Sequence, residues 1–518
     1  NGWILDHELV GDLRVGTITS TASDVTLVAD DVDGSILDAG TIDDGTARVV
    51  GNTLTLRAGT ATGRIGGTGA APDFLEIHSS YSARGRVSAL APGSILLDQV
   101  AGTLYVAEAY SGGDVVSLRT RAGSILADAP SGTVRVRGTD VDLIAVGGTI
   151  GSDSGDRSAD LVIDTATGGR LYATSEAGGI VGAATGIWIT EATGGLQVLR
   201  AEASEGPVRL ALPYVAGGEP ESLYVLTSGT TIDGLVTVTE GRIVGGPSVT
   251  LLVGQDVWAP ANTIIAADVV TIRAGFGQGT VAPVGAILYF GGEVTGHSTE
   301  IYGSHGDDVF LFDRTLLGGH TLVYGSPDSV PGAVDGDDFF GVWWLQSMTG
   351  THLAAPGDPF AGTEVPDALV LYGQGGDNTF YVQTWGGDDP VGHDYRIVVR
   401  GGGAAEGMNL LTVDGTDEAE LFLFRAVAAI PEQPDAVRPG FVAQINTTAG
   451  TVERITYDAG LNGGLRVNGL GGDDTFVFDD VSVGTSVYGD EGADTFVVGQ
   501  FYPTPRIEPD VQPGDAFE

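Results

Sequence analysis

The residues best suited to chemistry are aspartates and glycines that recur in one short motif of the C-terminal half. The segment YGSHGDDVFLF begins at Tyr302, and the pattern returns as YGQGGDNTFYV, NGLGGDDTFVF and YGDEGADTFVV. A looser copy carries an insertion before Asp337 and Asp338. Glycines let backbone carbonyls converge in a tight turn, and each aspartate adds an anionic oxygen. Because Ca²⁺ prefers six to eight such oxygens, the motif predicts calcium binding.

The predicted ligands are the acidic and amide residues that follow the glycines. They are Asp307, Asp308, Asp337, Asp338, Asp377, Asn378, Asp473, Asp474, Asp490 and Asp494. A single turn cannot supply a full set of oxygens, so each site needs a second turn. The steps between motif glycines are 22, 48, 28, 68 and 20 residues, and only Gly469 and Gly489 are expected on adjacent coils. The alternative is a set of solvated glycine–aspartate turns that hold no ion.

The motif resembles the nonapeptide of the RTX (repeats-in-toxin) calcium-binding family, in which GGxGxD precedes an apolar residue. The matching positions are Gly303, Gly306, Asp308 and Phe310; Gly373, Gly376, Asn378 and Phe380; Gly469, Gly472, Asp474 and Phe476; and Gly489, Gly492, Asp494 and Phe496. The resemblance implies calcium sites that a matching turn of a neighbouring coil completes. Here the copies are dispersed along the chain, whereas the family repeats them in tandem.

A second repeat, in the N-terminal half, predicts the scaffold that positions these turns. An isoleucine two positions after a glycine recurs with spacings of 29, 30, 30, 25 and 30 residues. The isoleucines are Ile36, Ile65, Ile95, Ile125, Ile150 and Ile180. Each period divides into three short runs with the two-residue alternation of half-buried strands. Stacked coils would place these isoleucines above one another at about 4.8 Å.

The predicted fold class is therefore all-β, an elongated parallel β-helix. It is a three-faced β-solenoid with ~30 residues per coil. Glycine supplies 83 of 518 residues, a density that helices do not tolerate. A β-sandwich is the alternative, but it would favour Asn-Gly or Asp-Gly hairpins, which are not systematic here. The predicted organisation is regular coils over 1–300, an acidic solenoid over 301–500, and a proline-rich tail or linker over 501–518.

Charge excludes several partners. The 24 basic residues, all arginine, face 68 acidic ones, for a net charge of −44. Such a surface repels nucleic acid and anionic membranes and attracts cations. No apolar run reaches the 18 residues of a membrane span, so membrane insertion is not expected. Because the chain begins at Asn1 without a signal segment, it is expected to be an internal piece of a longer polypeptide.

The coils together with the GGDDTF units resemble giant repetitive bacterial exoproteins, the haemagglutinin-like and calcium-binding adhesins. That resemblance implies a secreted or cell-surface location and a structural or adhesive role, with calcium, polysaccharide or further copies of the chain as partners. Two alternatives stay open, a polysaccharide lyase or epimerase built on a β-helix, and a self-assembling extracellular filament subunit.

The sequence predicts that the chain is not an enzyme. Its seven histidines form no HxH or HExxH pair, and cysteine and lysine are absent. No GxSxG nucleophile motif occurs. Trp343, Trp344 and Trp385 could form a sugar-stacking platform, although burial in the core is the favoured role.

Overall fold

The structure is a computed structural model. It describes residues 2–40, 43–67, 73–129, 132–155, 157–166, 168–230, 237–278, 283–327, 336–348, 350–353, 364–387, 389–402, 407–426 and 439–499. The predicted tail over 501–518 lies outside these residues.

Secondary structure in the described residues consists of strands and turns, without a helix. Among those residues, therefore, no helix is long and apolar enough to cross a membrane. The strands are β1 Ile4–Glu8, β2 Leu13–Val15, β3 Ile18–Thr19, β4 Val25–Ala29, β5 Ile36–Asp38, β6 Val49–Val50, β7 Leu54–Arg57, β8 Leu75–His78, β9 Val87–Ala91, β10 Ile95–Gln99, β11 Leu104–Ser111, β12 Val116–Thr120, β13 Ile125–Ala127, β14 Val136–Gly138, β15 Val141–Val146, β16 Leu161–Thr165, β17 Arg170–Glu176, β18 Ile187–Glu191, β19 Leu196–Ala203, β20 Val208–Leu212, β21 Leu223–Val225, β22 Gly229–Thr230, β23 Thr237–Val238, β24 Gly241–Val244, β25 Ser248–Val253, β26 Val257–Ala259, β27 Thr263–Ala266, β28 Val269–Arg273, β29 Ile287–Phe290, β30 Glu293–Tyr302, β31 Val309–Asp313, β32 Leu316–Tyr324, β33 Phe339–Trp343, β34 Thr351–Leu353, β35 Glu364–Pro366, β36 Leu369–Tyr372, β37 Thr379–Gln383, β38 Tyr395–Arg400, β39 Leu410–Asp414, β40 Leu421–Ala426, β41 Gly440–Asn446, β42 Thr451–Tyr457, β43 Gly464–Asn468, β44 Thr475–Phe478, β45 Thr485–Tyr488 and β46 Thr495–Val498.

The predicted all-β parallel β-helix is confirmed, and it is present in each of two compact units. Unit 1 comprises residues 1–254 and 262–267, and unit 2 comprises residues 255–261 and 268–518. In unit 1 three strands complete one coil. The second half of β11 pairs in parallel with β9, β12 pairs with β10, and β13 pairs with the first half of β11. The three faces predicted from the sequence are these three ladders.

The isoleucine column of unit 1 is only partly as predicted. Ile36, Ile65 and Ile95 do lie in successive coils and pair in parallel. The next residue over Ile95 is Val116 rather than Ile125, because β10 pairs with β12 only 21 positions on. The expected stacking of Ile125 on Ile95 is therefore wrong.

A second column takes over at this point. Ile125 pairs with Leu104 below it and with Ile150 above it, and Ile187 continues that column. Ile180 does not belong to either column, since its side chain is 44% exposed. Among the paired strands of unit 1, coil length varies from 19 positions, between Val87 and Val106, to 42 positions, between Ala201 and Ile243. Constant spacing in the sequence therefore did not guarantee constant register.

Unit 2 contains three parallel ladders. Ladder A stacks β28, β30, β32, β36, β38 and β42. Ladder B stacks β26, β29, β31, β33, β37, β39, β43 and β45. Ladder C stacks β40, β44 and β46. Phe310, Phe340 and Phe380 of ladder B are buried and stack at centroid distances of 4.8 and 4.9 Å. Phe496 in the last strand of ladder C is 51% exposed.

Two inserted antiparallel segments account for the longest steps between motifs. Strands β34 and β35 pair with each other between β33 and β36. Strand β41 pairs antiparallel with both β40 and β42. Each insertion lengthens the chain between two coils while the next strand still pairs in parallel with its ladder. Motifs that are distant in sequence can therefore be neighbours in space.

A matched pair of substitutions tests the two isoleucine environments. Ile95→Ala should lower the free energy of unfolding of unit 1 by about 2–5 kcal/mol, because Ile95 is fully buried and the change leaves a cavity. Ile180→Ala should cost less than about 1 kcal/mol, because Ile180 is partly exposed. Urea unfolding of both variants measures the difference, and equal losses would show that the observed register is wrong.

Candidate functional site

The glycine–aspartate turns of unit 2 form two columns, each located where one ladder passes to the next. The first turn column comprises four of the turns that connect ladder A to ladder B, namely residues 303–308, 325–326 with 336–338, 373–378, and 401–402 with 407–409. The second turn column connects ladder B to ladder C and contains residues 415–420, 469–474 and 489–494.

Backbone hydrogen bonds establish that successive turns of the first column are adjacent. The amide of Gly303 donates to the carbonyl of Tyr324, and the amide of Gly325 donates to that of Tyr372, at 2.9 and 3.0 Å. The amide of Gly373 then donates to the carbonyl of Arg400 at 2.9 Å. The sequence expectation that only Gly469 and Gly489 lie on adjacent coils is therefore wrong. The inserted pair β34–β35 accounts for the 48-residue step between Gly325 and Gly373.

The outer aspartates of the first turn column connect each turn to the following one. Oδ1 of Asp307 accepts from the amide of Asp337 at 2.9 Å, and Oδ1 of Asp337 accepts from the amide of Asp377 at 2.8 Å. Oδ1 of Asp377 in turn accepts from the amide of Met408 at 2.7 Å. Each carboxylate thus satisfies a turn amide that has no partner within its own coil.

The inner residues of the first turn column form a second, oppositely directed chain of hydrogen bonds. The amide of Asp308 donates to Oδ1 of Asp338 at 2.9 Å, and the amide of Asp338 donates to Oδ1 of Asn378 at 3.1 Å. Nδ2 of Asn378 continues the chain to Oδ1 of Asn409 at 2.9 Å. Two of the four inner positions carry a neutral amide, which reduces the negative charge of this column.

The second turn column repeats this bonding with acidic residues at all three inner positions. The amide of Glu420 donates to Oδ1 of Asp474 at 2.9 Å, and the amide of Asp474 donates to Oδ1 of Asp494 at 3.1 Å. In the outer position, the amide of Ala493 donates to Oδ1 of Asp473 at 2.9 Å. Asp490 has a positive φ of 64° and shapes its turn. The predicted pairing of the turns at Gly469 and Gly489 is therefore present.

Glu420 is a member of this column that the glycine–aspartate motif does not predict. It occupies the inner position in the segment VDGTDEAELFLF, where Glu420 replaces the expected inner aspartate and Ala419 replaces the outer one. The sequence pattern that could have predicted Glu420 is Gly415, followed by several acidic residues and then by Leu421 and Phe422 at the start of a strand. Thr416 donates from Oγ1 to Oε1 of Glu420 at 2.5 Å.

Two carboxyl groups of the second turn column lack a counter-charge. Glu420 and Asp474 are 3% and 0% exposed. Oε2 of Glu420 and Oδ2 of Asp474 have no hydrogen-bond partner, and neither residue pairs with an arginine among the residues that the structure describes. Burial raises the pKa of Glu420 to about 8, with a further contribution from Asp474. Burial also raises the pKa of Asp474 to about 6, assisted by Asp494 and Asp473.

The donor set of the second turn column fits a hard cation, although side chains alone do not complete a site. No group of three or more histidine, aspartate or glutamate side chains in the described residues is arranged to hold a metal ion. The two orphaned carboxylate oxygens are hard anionic donors, and the turns add backbone carbonyls. Oxygen donors of these two kinds are what Ca²⁺ binds.

The tryptophans that were candidates for a sugar platform do not come together. Trp343 packs against Phe339 and Tyr381, at centroid distances of 6.4 and 5.6 Å. Trp344 lies under the guanidinium of Arg314 at 4.9 Å. Trp385 stacks on His393 at 4.0 Å. Each ring has its own local partner.

Unit 1 contains a separate group of acidic side chains, which lies outside the glycine–aspartate motifs. Asp38, Glu76 and Asp98 are 2%, 0% and 4% exposed. Arg48 lies 3.1 Å from Asp38, and Arg121 lies 2.8 Å from Asp98. Burial, followed by the neighbouring Asp38, raises the pKa of Glu76 to about 7. These carboxylates are enclosed and paired with arginines, which is an ion-pair network rather than an open catalytic groove.

Comparison of the chain with known proteins gives no relative. No protein-family model, curated protein or solved structure matches it. The resemblance to RTX proteins and to adhesins is thus carried by the motifs alone.

The glycine that precedes each inner aspartate is a steric requirement that can be tested. A Cβ at Gly469 would collide with Oδ2 of Asp474, whereas a Cβ at Gly484 would have nothing within 4 Å. Gly469→Ala should therefore destabilise unit 2 by about 1–3 kcal/mol, and Gly484→Ala should change its stability by less than about 1 kcal/mol. Chemical unfolding measures both. A Gly469→Ala variant that is as stable as the wild type would contradict the observed position of the Asp474 carboxylate.

The acidic group of unit 1 predicts a pH dependence of stability. The folded state holds the proton of Glu76 up to about pH 7, whereas an unfolded glutamate releases it near pH 4.3. Stability should therefore fall as the pH rises through this interval, because the folded state binds more protons than the unfolded state.

Glu76→Gln should remove this component of the pH dependence, and the exposed Glu205→Gln is the control. Melting temperatures measured from pH 4 to pH 8 report the slope for each variant. A slope that Glu76→Gln leaves unchanged would disprove the assignment.

Proposed function

We propose that the chain is a structural segment of a secreted or cell-surface repeat protein, with an adhesive role, and that calcium stabilises its acidic turns. The observation that carries this proposal is the second turn column, in which the buried Glu420 and Asp474 each have an oxygen without a hydrogen-bond partner. A buried carboxylate without a counter-charge is costly, so a cation at these oxygens would stabilise the folded state.

The overall charge supports a divalent ion in this role. The chain carries a net charge of −44, and residues 301–518 contain 34 acidic residues against 8 arginines. Stacking places the acids of successive turns of the second turn column at the spacing of adjacent strands, about 4.8 Å. Like charges at this distance repel each other, and the described residues of the column make no arginine ion pair that would offset the repulsion.

Stabilisation by calcium would favour folding of the chain outside the cell. An ion that binds the folded state and not the unfolded one stabilises folding in proportion to the logarithm of its concentration. A chain with this requirement folds best in a calcium-rich compartment such as the outside of the cell. The stacked coils of each unit supply a repetitive scaffold, which suits a structural or adhesive segment better than a catalytic one.

Calorimetric melting of the full chain in calcium, in magnesium and in chelator tests the proposal. Calcium at one hundred times its dissociation constant should stabilise unit 2 by about 2.7 kcal/mol. Magnesium should do less, because it requires a tighter octahedral geometry. An unfolding transition that is identical in calcium and in chelator would overturn calcium binding.

Variants assign the effect to the second turn column. The double variant Glu420→Gln and Asp474→Asn should lose most of the calcium-dependent shift while remaining folded in chelator, because it removes the buried charges together with the ion's ligands. Asp268→Asn is the control, since Asp268 is an exposed acid of unit 2 outside both columns. A calcium shift that persists in the double variant would place the ion elsewhere.

A further inference from the structure

We propose that a cleft in unit 1 binds a small organic ligand through a protonated amine. The cleft lies among the turn that follows β16, the turn before β19, and the loop between β20 and β21. It is separate from both turn columns of unit 2, and the proposal does not depend on calcium binding.

The size of the cleft suits an organic molecule. Its volume is about 320 Å³, whereas one water occupies about 30 Å³ of liquid. Ligand sites in proteins begin at about 300 Å³. The walls are formed by Thr165, Thr193, Val215, Glu219 and Glu221, together with small residues such as Gly194. A single metal ion would leave most of this space unfilled.

The buried Glu221 is the residue that points to a ligand. It is 2% exposed, and its Oε1 has no hydrogen-bond partner among the described residues. This oxygen lies 3.3 Å from the position that a Cβ would take on Gly218, another residue of the cleft wall. Burial raises the pKa of Glu221 above the usual value. A positive group in the cleft would satisfy the free oxygen and restore the favourable ionised state.

The threonines of the cleft favour a ligand that donates hydrogen bonds. Oγ1 of Thr165 donates to Oε2 of the buried Glu191 at 3.2 Å, and Oγ1 of Thr193 donates to Oδ1 of Asp164 at 3.1 Å. Because each hydroxyl hydrogen is committed to a carboxylate, each threonine offers only lone pairs to a ligand. The two lining glutamates also offer only acceptors when ionised.

An acceptor-rich wall with negative charge selects the chemistry of the ligand. A protonated amine has three donors and one positive charge, and it complements this wall in both respects. An anion would meet two glutamates and find no basic residue among those that line the cleft. Glu219 is exposed and reaches the rim, so it can attract a cation before Glu221 holds it.

Glucosamine is the probe for this site, because it combines a protonated amine with hydroxyls that can donate to the threonines. Isothermal titration of the full chain should show binding of glucosamine and at least tenfold weaker binding of glucose and of N-acetylglucosamine, which lack the positive charge. Equal binding of the three sugars, or no binding of glucosamine, would overturn the proposal.

Variants locate the binding. Glu221→Gln should weaken glucosamine binding at least tenfold, and Glu205→Gln, an exposed acid of unit 1 outside the cleft, should leave it unchanged. Val215→Phe should also block binding by filling the cleft, and because Val215 is 42% exposed the fold should tolerate the larger ring. Retention of full affinity in both cleft variants, with native melting behaviour, would show that the ligand binds elsewhere.

Discussion

The parallel pairing of strands in successive coils is the constraint on which every other feature depends. Parallel neighbours lie about 4.8 Å apart and keep their side chains in register. A residue in the turn after a strand therefore lies directly above or below the residue at the same turn position in the neighbouring coil. The stacking of Phe310, Phe340 and Phe380 shows the benefit of this arrangement, since flat rings at 4.8 and 4.9 Å exclude water from this part of the core.

The same constraint places like charges above one another, and the two turn columns of unit 2 handle this differently. In the first turn column two of four inner positions are asparagines, and Asn378 bonds directly to Asn409. In the second turn column Glu420, Asp474 and Asp494 keep three carboxylates in sequence. Backbone amides satisfy one oxygen of each bonded carboxylate there, but an amide cannot neutralise a charge. The second turn column is for this reason the place where we propose that a cation binds.

Unit 1 shows that stacking does not by itself require an ion. Its acids Asp38 and Asp98 are compensated by Arg48 and Arg121, so the cluster contains its own counter-charges. Glu221 is buried to a similar degree and has one oxygen without a partner. Burial alone therefore does not distinguish a structural carboxylate from a binding one.

The sequence by itself determined the fold class and the composition of the turns. The two-residue alternation, the glycine density and the recurring isoleucines sufficed for a parallel β-helix, because these features report local strand geometry and corner conformation. Which coils are neighbours was decided only in the tertiary structure. Ile125 leaves the column of Ile95, and Gly303 lies beside Gly325 while Gly325 lies beside the distant Gly373. No sequence motif predicts the cleft at Glu221. Register and clefts depend on how insertions are accommodated between coils, and spacing along a chain does not encode that accommodation.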